Sequence, residues 1–161
     1  GAQGGALNNQ IAAKAVCFKE ALTKEYQEYA KQILNNAKAL SDSFQEQGLR
    51  VISGGTENHI VLVDTRSVDE ELTGKEAGIL LNDRGVTLNR NAIPFDPRSP
   101  FITSGIRMGT PAVTTCGMKE NELTQVGFLI SEIMKNRSDE NKLNELEAEV
   151  RLLATSFQPY G

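Results

Sequence analysis

Histidine occurs once in this chain, at His59, and cysteine twice, at Cys17 and Cys116, with no CxxC spacing around either. That leaves too few soft ligands for a Cys/His zinc site. Both cysteines are expected as free thiols in a reducing compartment, with the cytoplasm as the default. Basic charge is also short. The net charge of −4 gives no dense basic face of the kind a nucleic-acid backbone requires, and the acidic excess reads as solvated surface. No apolar run approaches the length that spans a bilayer, and no basic-plus-apolar leader opens the chain. These absences point away from metal, nucleic-acid and membrane partners. An initial methionine is missing too: the chain opens GAQGGALNN, and we expect it to be a piece of something longer.

Prolines are few, five in 161 residues, but four of them fall between Asn89 and Pro111. Pro94, Pro97 and Pro100 set the backbone at three-residue intervals and remove three amide donors, which excludes a helix or a central strand there. A stiff irregular loop is expected, suited to holding polar side chains still around a small ligand.

Elsewhere the hydrophobic spacing is legible. Ile11, Ala15, Phe18 and Leu22 follow a helical period from about Asn8. Thr23 restarts the helix as an N-cap, and Tyr26, Tyr29, Ile33, Ala37 and Leu40 carry the stripe to about Gln47, where Gly48 stops it. Strands are expected at Arg50–Ser53, His59–Asp64, Val86–Leu88 and Ile102–Met108. Gly54-Gly55-Thr56 joins two strands and reads as a tight turn rather than a phosphate loop. His59 reads as a hydrogen-bonded structural residue. Thr73 and Glu76 form a capping box for a helix over Gly74–Asp83. A turn of helix at Pro111–Cys116 and a full helix at Glu120–Lys135 follow. Ser138 is expected to cap a last helix whose inner face carries Leu143, Leu146, Val150 and Leu153. The class is α+β: a three- to four-stranded, mostly antiparallel sheet with helices on one face.

Three segments together resemble one family: GAQGG, VISGGTENHIVLVD and TLNRNAIPFDPRSPFITSGIRMGTPAVT. They are similar to the C-terminal third of serine hydroxymethyltransferases, segment by segment from Gly1 to about Phe157. The resemblance implies the small C-terminal domain of a fold-type I pyridoxal-phosphate enzyme. Residues 1–22 would lead from a missing large domain, and residues 23–161 would form the small one. It also implies a parent that moves a one-carbon unit between serine and tetrahydrofolate, acting as a homodimer or homotetramer. The lysine that holds the cofactor lies upstream of these segments in the family, so no catalytic residue is expected here.

Residue by residue, the resemblance places the substrate α-carboxylate on Arg107, in SGIRMG, whose planar fork suits two parallel hydrogen bonds. Asn91, Ser99 and Phe101 correspond to folate-site positions. An asparagine amide offers both donor and acceptor to a pterin edge, and Phe101 an apolar face to the aminobenzoyl group. From residue types alone, all three could equally be loop-forming. Gly4 and Gly5 correspond to a segment that reaches the cofactor phosphate of a neighbouring subunit. After this Gly-Gly the family usually has Pro and then His; this chain has Ala6 and Asn9. If the assignments hold, Arg107 should be pinned at a cavity shared with Asn91. The competing reading is a non-catalytic binding or assembly module derived from this domain.

Overall fold

The computed structural model describes residues 4–157. The first three residues of the GAQGG segment lie outside them.

Two helices open the chain, α1 (Asn8–Ala21) and α2 (Lys24–Glu46). Thr23 separates them, its hydroxyl accepting from the Tyr26 amide at 3.3 Å, which is the expected cap. The first quarter is therefore a broken helix. Its halves differ: α2 buries Ala37, Leu40 and Phe44, whereas α1 buries nothing. The stripe of Ile11, Phe18 and Leu22 stands exposed, covered by no other element among the described residues.

Four strands follow, β1 (Arg50–Val51), β2 (Ile60–Asp64), β3 (Asn89–Asn91) and β4 (Gly105–Gly109). They form one antiparallel sheet in the order β1-β2-β4-β3. Val61, Val63 and Ile106 are fully buried against the helices. Side chains alternate along a strand, so Ile60, Leu62 and Arg107 face the other way. The sheet thus has one face in the core and one without a helical cover.

Between the strands lies α3 (Gly74–Asp83), opened by the expected Thr73–Glu76 capping box. After β4 come α4 (Pro111–Thr115), α5 (Glu120–Lys135) and α6 (Glu140–Thr155). Helices α2 and α5 meet closely at Gly127, where an added Cβ would lie 2.6 Å from Ser43 Oγ. Polar staples fasten the start of α4 to α2. Thr110 Oγ1 donates to Ile33 O at 2.9 Å, and Asn36 Nδ2 donates to Thr114 Oγ1 at 2.8 Å and Met118 O at 2.9 Å.

Four expectations need correction. Residues 52–54 form a turn of 3-10 helix with Ser53 at φ 66°, so β1 ends at Val51. Val86–Leu88 is not a strand; pairing begins at Asn89, opposite Arg107. The strand expected from Ile102 begins at Gly105, because Thr103 sits at φ 61° and the amides of Ile102 and Thr103 turn back to Ser99 O. Asp139, not Ser138, caps α6, its carboxylate accepting from the Lys142 amide at 3.1 Å.

Two glycines test the helix packing with opposite signs. Gly127→Val overpacks the α2–α5 contact and should destabilise the domain by about 1–3 kcal/mol. Gly78→Ala in α3 meets nothing within 4 Å and should stabilise it by roughly 0.5–1 kcal/mol. Urea midpoints of the two variants should move in opposite directions; a shared direction refutes this packing.

Candidate functional site

Strand β4 is the centre of the candidate site because it joins β2 to β3. Arg107 lies opposite Leu62 on one side and Asn89 on the other, and Asn91 lies opposite Gly105. Paired residues share a face, so Arg107, Asn89 and Asn91 project from the uncovered side of the sheet. Asn91 stands at the diagonal position from Arg107, about 7–8 Å away in such ladders. The structure therefore does bring these two together on one surface.

The chain has eight arginines, and six of them have protein partners. Arg50 and Arg66 bind Asp64, Arg84 binds Glu140 and Glu147, and Arg98 binds main-chain oxygens of Leu72 and Glu70. Arg137 binds Asp69 and Arg151 binds Glu147. Among the described residues Arg90 and Arg107 have none. Arg90 lies opposite Ile106 at the sheet edge, so Arg107 is the unpaired cation of the open face. It is exposed, and no described cavity is lined by both Arg107 and Asn91. The expectation of a pinned guanidinium in a shared cavity is corrected. Within this chain the arginine is presented but not enclosed.

The glycines flanking it serve the sheet. A Cβ on Gly105 would stand 2.7 Å from Ile93 Cγ2 and 2.8 Å from Asn91 O, and one on Gly109 would stand 3.3 Å from His59 O. His59 contributes that carbonyl, which also accepts from the Thr110 amide. Its imidazole is exposed, with no side-chain hydrogen bond among the described residues. Its structural part is thus played by backbone, not by the ring.

Asn91 donates to Ala92 O at 2.7 Å, leaving its carbonyl oxygen open. Ser99 and Phe101 are exposed on the loop between β3 and β4, and Phe95 in the same loop is wholly exposed at φ 56°. Gly4 and Gly5 line a depression of about 420 Å³ with Gln10, Ile11 and Lys14. A Cβ at either glycine would meet nothing within 4 Å, and neither has a positive φ. Among the described residues nothing demands glycine there. The start of α1 has no side-chain cap; the Gln10 and Ile11 amides donate to Leu7 O, and the Asn8 and Asn9 amides have no acceptor among the described residues, as at an open helix N-terminus. Bare glycine backbone and an open helix N-terminus suit an anionic group such as a phosphate. Among the described residues no cluster of His, Cys, Asp or Glu could hold a metal ion.

One residue that organises the loop was missed from sequence. Asp96 Oδ2 accepts from the amides of Ile93 at 3.1 Å and Ser104 at 2.9 Å, and Oδ1 from the Arg98 amide at 2.9 Å and Ser104 Oγ at 2.7 Å. Burial opposes its charge, but these donors outweigh it and hold the carboxyl at about 2, below its ordinary 3.8. The available signal was Asp-Pro-Arg, since an aspartate commonly accepts the amide two residues on.

The parts define a class: an α+β domain that presents its candidate site on an open sheet face. A family model described as serine hydroxymethyltransferase matches residues 1–130. The serine hydroxymethyltransferase of Psychrobacter sp. (strain PRwf-1) is 48% identical over 160 residues, covering 99% of this chain. That of Idiomarina loihiensis is 46% identical over 161 residues, the whole chain. The chain spans 38% of the length of each relative. It belongs to the serine hydroxymethyltransferase family.

The Asp96 linkage has a definite sign. A carboxyl held below its ordinary value stabilises the fold fully above about pH 4, and the contribution is lost as pH falls through about 2. Asp96→Asn should therefore cost on the order of 2 kcal/mol near neutrality. Urea titrations should show that gap narrowing between pH 4 and pH 2; a gap independent of pH contradicts the clamp.

Proposed function

We propose that this domain supplies the substrate-carboxylate contact and part of the folate wall of a serine hydroxymethyltransferase. The parent interconverts serine and tetrahydrofolate with glycine and 5,10-methylenetetrahydrofolate. Pyridoxal phosphate, when bound, supplies the electron sink for that carbon chemistry. Residues 1–22 belong with the rest of the parent, and Gly4 and Gly5 approach the cofactor phosphate of a neighbouring subunit in a homodimer or homotetramer. The bare stripe of α1 supports this, since an uncovered apolar helix face needs a partner. The exposed Cys17 thiol and free Cys116 suit a cytoplasmic parent.

One observation carries the reading. Arg107 is the unpaired guanidinium on the open sheet face, on the same surface as Asn91. A bidentate fork held on a strand can orient a zwitterionic amino acid by its carboxylate. The open carbonyl of Asn91 offers an acceptor to a pterin edge. Ser99 and Phe101, presented by the same loop, would extend that wall. The domain's role is orientation, and the 161 residues by themselves should show no serine–tetrahydrofolate exchange.

In the full-length parent, Arg107→Ala should weaken serine binding by roughly 30-fold or more. Thermal stability should hardly change, because the exposed guanidinium makes no hydrogen bond or ion pair among the described residues. Lysine at the same position should restore little, since it lacks the fork. Calorimetric titration with serine checks this; wild-type affinity in the alanine variant refutes the assignment.

A further inference from the structure

The loop between β3 and β4 poses a mechanical problem. Its three prolines donate no backbone hydrogen bonds, so it cannot knit itself together as a ladder. Its internal main-chain bonds close two local turns, the Asp96 amide to Ile93 O and the Ile102 and Thr103 amides to Ser99 O, while Ile102 O, Thr103 O and Ser104 O accept from the amides of Lys75, Gly74 and Thr65. Two non-glycine residues in it, Phe95 at φ 56° and Thr103 at φ 61°, hold conformations that persist only where the surroundings over-determine them. Each is the immediate neighbour of a member of the Asp96–Ser104 cluster.

We propose that Asp96 is the positioning residue of this ligand-binding loop, its carboxylate setting the spacing of Asn91, Ser99 and Arg107. The proposal rests on the roles given to those residues above. The four bonds reach three separated points of the chain. Ile93 lies two residues beyond Asn91. Arg98 adjoins Ser99, and its guanidinium is itself tied to Leu72 O and Glu70 O. Ser104 directly precedes Gly105, the register partner of Asn91, and stands three residues before Arg107. One side chain thus joins the end of β3, the middle of the loop and the start of β4. All four partners are donors, so only a group with acceptors on both oxygens satisfies them. An asparagine would turn an NH₂ toward amides that also donate.

The test uses the full-length parent enzyme. Asp96→Asn should raise the KM for tetrahydrofolate roughly 10- to 100-fold, with a smaller rise for serine. Ser104→Ala removes one of the four bonds and should give a few-fold rise; it serves if the first variant folds poorly. Arg84→Met breaks ion pairs at the far end of α3 and should lower the thermal midpoint without moving either KM. Asn91→Ala reads the underlying assignment directly. If it raises the folate KM and both Asp96→Asn and Ser104→Ala do not, the positioning role is overturned while the folate wall stands. If Asn91→Ala leaves the folate KM unchanged, the wall itself falls and the proposal with it. The double variant Asn91→Ala/Asp96→Asn should fall short of the product of the two single effects, because Asn91 is one of the residues that Asp96 positions. Additive effects would overturn the coupling.

Discussion

Ile106 and Arg107 are adjacent on β4, and the two-residue period of a strand forces them to opposite faces. Ile106 is completely buried among the helices. That burial fixes Arg107 outward as firmly as any direct contact could, since a one-residue slip would place a guanidinium in the core. The register with β2 enforces the same choice, through Leu62 opposite Arg107 and Val63 opposite Ile106. The hydrophobic core is therefore what aims the cation.

The same strand explains why glycine recurs around it. Gly105 lets β3 approach until Asn91 O and Ile93 lie where a side chain would be. Gly74, the first residue of α3, does likewise: a Cβ there would collide with Thr103 Oγ1 and with Gly105 O. The Gly74 amide donates to Thr103 O at 3.0 Å. Helix α3, the loop and β4 are thus pressed together at a point with no spare volume. A loop held this tightly at its ends keeps its exposed residues in place without burying them.

Much of this was legible in the sequence, and the failures share a cause. Helix boundaries were readable where a capping residue and an apolar stripe agreed, as at Thr23 and at Thr73 with Glu76. The pairing of β3 with β4 was misplaced because Val86–Leu88 looks more strand-like than Asn89-Arg90-Asn91. Propensity favoured the apolar triplet, but pairing is decided by where β4 runs. Arg107 and Asn91 were visible as residues in an unusual loop, and their shared face followed only once the register was known. Asp96 was overlooked because a carboxylate between prolines looks like solvated loop; its four donors come from residues up to eight positions away. The missing enclosure around Arg107 has a different origin. What covers a strand face is set by tertiary packing, which the motif carrying Arg107 does not encode; the chain spans 38% of the length of its relatives.

The arrangement around Arg107 has an energetic logic. The core of Phe44, Leu81, Ile133, Met134 and Leu146 closes without help from the open sheet face. The ion pairs of Arg66 and Arg84 satisfy their own carboxylates within the domain. Satisfying Arg107 in the same way would stabilise the domain slightly, since an exposed pair contributes about 0–1 kcal/mol. It would also present any incoming carboxylate with a competitor already in place. A cation left unpaired on a rigid strand forgoes that small gain and keeps its bidentate geometry for a partner from outside. The loop follows the opposite rule, its one buried-side carboxylate saturated with donors so that its exposed residues hold still. An unpaired cation beside an over-determined support suits the orienting role proposed for this domain, and it makes binding and stability separable by mutation in this fold.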